Sequence, residues 1–479
     1  MAYIDEAETE AGVGMTEEEL QSSVRQSIED AIDFIDDEIS PIRAESTKFY
    51  RGEPFGNEVP GRSQVVSRDV RDATMAVLPS MMRVFFGSSK PVEFVPQNAN
   101  DVAMAEQATD YVSHILQVDN DGLEIFYSVF KDALMNRGGF VKWSWDDSSV
   151  VNTHTFEGLD EGSLGLILQE EGVEAVSVVG KPAPGINQQM AELEAQGMPV
   201  PQLYDVEIKR STKKNRVKVE TMPPEEFFVD AAATSLDDCQ ICGHRTMATV
   251  SSLVALGYDQ EMLDEHLSDQ VGFIDSEEYI ARTSYPDTRS PLSEYERKRV
   301  LYVEAWAYVD FDGDGLAELR RICTIGDSYT IVNNEPAASI PFAVFNADPE
   351  PHMFFGSDLA DLTKDIQRIK SATLRGMLDS LAFSLYPRTA VVEGMVDLDD
   401  VMNDEPGAII RTRQPGMVTP FNVPFLGKEA FPMIAYLDQM KESRTGQTAA
   451  SQGLDPDVLQ STTRAAVQAT VKGAEQHLE

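Results

Sequence analysis

Asp310, Asp312 and Asp314 stand at alternate positions in "VDFDGDGLAEL" (Val309 to Leu319), the spacing in this sequence best suited to holding a cation. An EF-hand loop draws ligands from positions 1, 3, 5, 7, 9 and 12, with Gly at 6 and a bidentate Glu at 12. Counted from Asp310, Gly315 fills position 6 and Glu318 position 9, but position 12 is Arg321, which cannot ligate a cation. The flanking runs alternate like strands, whereas EF-hand loops join helices, and Asp-Gly between apolar runs is itself a hairpin signal. A tight turn is the favoured reading. The alternative left open is a turn that also holds a structural divalent cation through Asp310, Asp312, Asp314 and Glu318.

Cys239 and Cys242, followed by His244, form the other metal-like spacing. Zinc needs a second ligand pair at comparable spacing, and the sequence has none, so small thiols in a buried strand are expected instead. Cys323 brings the cysteine count to 3, too few for a disulfide scaffold and consistent with a reducing compartment. The motifs G-x-x-x-x-G-K-[ST], G-x-S-x-G and H-E-x-x-H are all missing, and the 6 histidines are scattered without ligand spacing. A non-enzymatic protein is the expectation, with no cofactor beyond that one optional cation.

Thirty-nine basic against 81 acidic residues, in 479, give a net charge of −42 and a pI near 4.4. Gripping nucleic acid rests on Lys and Arg displacing counterions, so this balance argues against it. It does not exclude a surface that DNA passes without sticking, where repulsion would help, but simple solubility is the favoured reading of the charge. The acidic N-terminus reads as no signal peptide, and the apolar stretch Met75–Phe86, broken by Pro79 and Arg83, is too short to span a bilayer, so no membrane is expected.

The elements that must position these residues read as a mixture of helices and strands. Thr16 and Glu19 make a capping box before Leu20, Val24, Ile28, Ile32, Ile35 and Ile39, a helix that Pro41 is expected to end. A second helix runs from Ser67 with a bend at Pro79, "KPVEFVP" reads as a short strand, and further helices lie near 101–117 and 122–136. Residues 155–203 are expected to form a mobile insertion. "YDVEIKRSTKKNRVKVE" reads as a hairpin whose Lys209, Arg210, Lys213, Lys214, Arg216 and Lys218 make the one basic cluster of the chain. No aromatic residues interleave there for stacking on bases, so a solvated turn or a patch on an acidic neighbour is favoured.

From Asp358 to Leu385, an apolar stripe (Leu359, Leu362, Ile366, Ile369, Thr373, Met377, Leu381, Leu385) marks a long helix. Lys364, Arg368 and Arg375 fall opposite that stripe, within about 40° of one another on a helical wheel. Short strands and turns follow. Pro432, at a first-turn position, opens a helix through Arg444. "TGQTAASQGLDPDVLQSTT" has the composition of a flexible loop, and a last helix is still running at the chain end, so a longer natural protein is expected.

Taken in order, several blocks of this sequence resemble the portal proteins of tailed bacteriophages, the podovirus type in particular. They are Tyr50-Arg51-Gly52, Gly61-Arg62-Ser63, "DALMNRGG" leading into "VKWSWD", "MPPEEFFVD", "DFDGDGLAEL", "PEPHMFFGSDLADL" and "SQGLDPDVLQSTT". The resemblance covers most of the chain and lies in the order and spacing of the blocks.

It implies an elongated α+β subunit that assembles with about eleven others into a ring around a channel. The ring would occupy one capsid vertex, in the virion and, during assembly, in the host cytoplasm. It would serve DNA packaging and ejection, passing double-stranded DNA non-specifically. Terminase, the major capsid protein, scaffold and tail adaptors would be its partners. Residues 1–355 would be the wing, 356–387 the first stem helix, 388–422 the clip and 423–444 the second stem helix. Residues 445–462 would be the tunnel loop, with Thr445, Gly446, Gln447, Thr448, Ser451 and Gln452 against DNA, and 463–479 the start of a wing or crown helix. The Lys364, Arg368 and Arg375 strip would face DNA or, the favoured option, bridge to acidic neighbours. Two other functions stay open: another head–tail adaptor or structural virion protein, and a metal-dependent hydrolase using the Asp310–Glu318 carboxylates.

Overall fold

The computed structural model describes residues 15–87, 90–98, 100–147, 149–170, 172–182, 202–265, 276–283, 298–403, 405, 407–421, 423–425 and 427–447. The chain divides into two compact units, one of Met1–Glu93, Leu123–Lys142 and Thr221–Glu479, the other of Phe94–Gly122 and Trp143–Glu220. Both mix helices with antiparallel strands, the α+β class expected.

The first unit starts with α1 (Glu17–Phe34), capped as its sequence predicts: the Glu19 N–H donates to Thr16 Oγ1 at 3.4 Å and the Thr16 N–H to Glu19 Oε2 at 3.0 Å. Pro41 does not end this run. A π-helical turn, Ile35–Ile39, leads into α2 (Ser40–Arg51), where Pro41 occupies the first turn and its missing N–H forfeits nothing. Leu20, Val24, Ile28 and Ile32 of α1 pack on a five-stranded antiparallel sheet. The sheet order is β10 (Thr330–Pro336), β9 (Glu318–Ile325), β8 (Arg299–Val309), β7 (Ile241–Thr249), β6 (Phe227–Val229). Central strand β8 is buried without a break from Val300 to Ala307, because its other face is covered too. There Val250 and Leu253 of α7 (Val250–Ala255) and Leu263 of α8 (Gln260–Glu265) close over Val300 and Tyr302. β1 (Gly139–Asp146) pairs antiparallel with β11 (Phe342–Phe345).

A second apolar cluster joins α3 (Asp69–Phe86), which carries Pro79 inside it, to α5 (Gly122–Asn136) through Ala73, Val77, Leu78, Val129, Phe130 and Leu134. The short α9 (Glu277–Thr283) lies on α2. The long α10 (Leu359–Leu385) begins at an Asp358 N-cap and packs on α2, α3 and α12 (Gly427–Thr445). Pro432 lies inside α12, not at its start as expected; the helix forgoes the one bond its missing N–H would make and continues. Between α10 and α12, β12 (Thr389–Val391) pairs with β13 (Val418–Pro420) around the single turn of α11 (Leu398–Met402). "KPVEFVP" forms no strand among its described residues; prolines at both ends remove ladder donors.

In the second unit, α4 (Val102–His114) passes into a π-helical turn, Ile115–Asp119. A three-stranded sheet follows, ordered β2 (Ser149–Leu159), β4 (Gln202–Lys213), β3 (Val173–Pro182), with α6 (Glu161–Leu168) between β2 and β3. The expected mobile insertion is therefore corrected: 155–170, 172–182 and 202–203 are ordered in this sheet and helix, and 183–201 lie outside the described residues. Its β-branched runs, such as Val176, Val178 and Val179, supply the strand signal that Gly and Glu dilute. The expected hairpin is corrected too. β4 pairs with β2 and β3, while β5 (Arg216–Met222) joins β1.

Candidate functional site

The acidic stretch is the turn of the β8–β9 hairpin, with Val309 opposite Glu318. Asp310 Oδ1 accepts the N–H groups of Gly313 (2.8 Å) and Asp314 (3.1 Å), and its Oδ2 accepts that of Gly315 (2.9 Å). Asp312 accepts from Asp314 N–H, Asp314 from Leu316 N–H, and Glu318 from Phe311 N–H. Gly313 and Gly315 have φ of 77° and 87°, the left-handed region glycine enters without a Cβ penalty. Single oxygens of Asp310, Asp312 and Asp314 lie within 4.8 Å of one another, without Glu318, and the site is empty. Arg321, at the twelfth position, pairs with Glu304 and Glu335.

Cys239, Cys242 and Cys323 are all free and buried. His244 meets Glu226 at 3.0 Å. The hydrogen bond that the Cys242 thiol donates to Cys239, together with burial, pushes Cys242 well up, which suits an inert core thiol. In the basic cluster Arg210 pairs with Glu170, Lys214 and Arg216 with Asp146, and Lys218 with Glu220.

The richest constellation runs along α10. The buried residues of this helix are Leu359, Ala360, Thr363, Ile366, Gln367, Ser371 and Ser380, which include only Leu359 and Ile366 of the apolar stripe read from the sequence. Of that stripe, Ile369, Leu381 and Leu385 are exposed. Four side chains at i+4 spacing instead grip the main chain of the extended segment before α3. Asp379 accepts the Ser63 N–H (2.7 Å), Arg375 Nε donates to the Val65 carbonyl (2.9 Å), Ser371 accepts the Ser67 N–H (3.0 Å) and Gln367 accepts the Val70 N–H (3.0 Å). Gln367 also donates to the Phe49 carbonyl at 2.8 Å, joining α2 to the same seam.

Lys364, Arg368 and Arg375 border this seam, and each meets carboxylates of the same chain. Lys364 reaches Asp361 (2.8 Å) and Glu45 (3.3 Å), Arg368 reaches Glu45 (2.6 Å), and Arg375 pairs with Glu58. The Arg368 and Arg375 guanidinium groups also stand over the rings of Phe49 and Phe55. On the neighbouring face, Asp69 receives Lys370 at 2.8 Å and Lys441 at 3.1 Å, while Lys370 reaches Asp438 and Arg444 reaches Asp365. Burial pushes the Asp69 carboxyl up, but hydrogen bonds from Lys370 and Ser67 and the Lys441 charge outweigh it and hold it below the usual range.

Thr445 closes α12 and donates to the Lys441 carbonyl at 2.9 Å, Gly446 turns the chain at a φ of 67°, and the Gln447 N–H donates to Thr445 Oγ1. Thr448, Ser451 and Gln452 lie outside the described residues.

This succession, an α/β body, a long helix, a small β-containing insert and a second helix anchored back on the first, is the order the resemblance led us to expect. A family model described as "Phage SU10 portal protein" matches residues 20–479, the bulk of the chain. The chain belongs to the phage SU10 portal protein family. The family of this portal protein is a structural rather than an enzymatic one. Sequence reasoning missed the seam: Gln367, Ser371, Asp379 and Asp69 were not singled out as its supports. The i+4 repetition of polar residues from Gln367 to Asp379 was the available signal.

Proposed function

We propose that this phage portal protein closes into a ring of about twelve copies whose central channel passes DNA during packaging and ejection. In this reading the ring sits at one capsid vertex, held by the major capsid protein and scaffold, after assembly in the host cytoplasm. Terminase and then tail adaptors dock on residues 388–422 as the clip. The stretches 356–387 and 423–444 serve as stem helices, 1–355 as the wing and 463–479 as the start of a wing or crown helix. The 445–462 loop, with Thr445, Gly446, Gln447, Thr448, Ser451 and Gln452, lines the channel.

One observation carries the reading. The end of α10, the insert and the start of α12 leave large apolar side chains in the open: Tyr386 is 76% exposed, Met402 79% and Ile409 82%, with Leu385, Phe421, Phe431 and Tyr436 also exposed. A lone soluble chain rarely leaves so many on one stretch, and neighbouring copies would cover them. A ring of twelve at −42 per copy carries a charge of about −500, which keeps the DNA phosphates from adhering to its walls. The carboxylates of the acidic turn are already engaged by backbone N–H groups, which supports a hairpin role over a hydrolytic one. Native mass measurement on the purified chain tests the proposal, with rings of about a dozen copies expected. A chain that stays monomeric at working concentration overturns it.

A further inference from the structure

Six exposed bases crowd the end of β4 and the start of β5: Lys209, Arg210, Lys213, Lys214, Arg216 and Lys218. Lys214 and Asn215 turn the chain between the two strands, Asn215 at a φ of 43°, a region asparagine enters more readily than most side chains. Three carboxylates pair with four of these bases. Arg210 meets Glu170, Lys214 and Arg216 share Asp146 at 3.4 and 3.8 Å, and Lys218 meets Glu220. Lys209 and Lys213 close no ion pair among the described residues, although Glu174 of β3 stands beside Lys209 in register. Lys213 lies opposite the uncharged Ser149 of β2. Six bases against three paired acids leave this tip a positive surplus in a chain of −42.

The opposite kind of surface lies on α1. Its inner face packs on the five-stranded sheet, and outward it presents Asp30, Asp33 and, from the π-helical turn, Asp37 and Glu38, all exposed. Steps of three and four residues bring Asp30, Asp33 and Asp37 into one line, where like charges repel and weaken the helix. None of the four closes an ion pair among the described residues. The base of the same helix, Arg25, is taken by Glu29 at 2.8 Å.

A ring built by rotation joins two different patches of each copy, head to tail, and these must complement one another. Resting on the ring reading above, we propose that the basic β4–β5 tip of one copy seats on the acidic line of α1 in the next. Lys209 and Lys213 bring the uncommitted cations, and Asp30, Asp33, Asp37 and Glu38 the uncommitted carboxylates. Such a contact sets register and speeds encounter more than it deepens affinity. A nucleic acid suits the tip less well. No aromatic residue stands between Asp205 and Met222 to stack on bases, and the net charge of the chain repels phosphates.

Two charge reversals test the contact in the intact chain: Lys209→Glu with Lys213→Glu at the tip, and Asp33→Lys with Asp37→Lys on the helix. All four positions are exposed, so thermal unfolding should stay within a few degrees of wild type. Native mass measurement should show each double variant alone needing about tenfold more protein to form rings. The quadruple variant, with both patches reversed, should assemble within about threefold of wild type. An equal mixture of the two double variants should assemble too, as rings in which they alternate, because each then meets opposite charge at both of its contacts. Rings that both double variants form as readily as wild type overturn the contact and leave the ring reading standing. So does a loss confined to one double variant, which gives that patch another occupant, or a quadruple variant as impaired as the doubles. A wild type that never leaves the monomer overturns the ring reading itself, and this contact with it.

Discussion

Asp358 shows how one residue carries two opposed demands. As the N-cap of α10 it accepts the Asp361 N–H at 2.7 Å, and Ser46 Oγ donates to its other oxygen at 2.8 Å. Burial, with the Asp361 charge behind it, pushes its carboxyl up to about 6. A raised carboxyl favours folding most where it is protonated in both states. The stability it contributes is full below about pH 4, falls as pH rises toward 6 and is flat above. An asparagine keeps the capping oxygen and cannot ionise. Asp358→Asn is therefore expected to gain about 1–2 kcal/mol over wild type at pH 8 and nothing at pH 4, read by denaturant titration at both pH values. An equal effect at both would place the cost in packing, not ionisation.

At the scale of the element, α10 is held by hydrogen bonds to main chain on the polar face opposite its apolar stripe. Each rung of the Gln367, Ser371, Arg375 and Asp379 ladder satisfies a backbone group that has no sheet or helix partner, so the extended segment can lie against the helix without orphaned donors. Gln367→Ala strips a partner from both the Val70 N–H and the Phe49 carbonyl and is expected to cost about 2–3 kcal/mol locally. Hydrogen exchange reads it: the Val70 amide should lose about 30-fold or more of its protection while Ser63, at the far rung, changes less. Equal loss at both amides would mean the seam opens as one piece. Ile369 gives the control, since it is exposed on the same helix and its truncation should leave Val70 protected.

For the whole molecule, the open question is what covers the apolar side chains between the end of α10 and the start of α12. Ile409 and Met402 are largely exposed among the described residues, so a charge there should not disturb the fold. Ile409→Asp combined with Met402→Asp is expected to leave the thermal unfolding of the chain within a few degrees of wild type while collapsing rings to smaller species in sedimentation. Rings that form unchanged would place the contact between copies elsewhere. The charge pairs anchoring α12 on α10 and α3 act on the same scale. Asp69, buried between Lys370 and Lys441, ties three helices together, and its loss would leave both lysines to share the more exposed Asp438.

Local signals settled the elements and their kind: the Thr16–Glu19 capping box, the alternation of β8 and β9 about an Asp-Gly turn, and the helical period from Leu359 to Leu385 are all borne out. Each depends on residues only a few positions apart, so the chain order alone carries it. The ordered blocks likewise carried the family. Which face of α10 goes inward, which strand β4 pairs with, and the meeting of Arg282 with Glu225 were decided by tertiary structure alone. These outcomes join residues far apart in the chain, and the competition between burying an apolar stripe and satisfying a stretch of backbone is resolved only when both are in place. On α10 the start of the apolar stripe, Leu359 and Ile366, is buried, the backbone of residues 63–70 occupies the opposite polar face, and Ile369, Leu381 and Leu385 stay exposed.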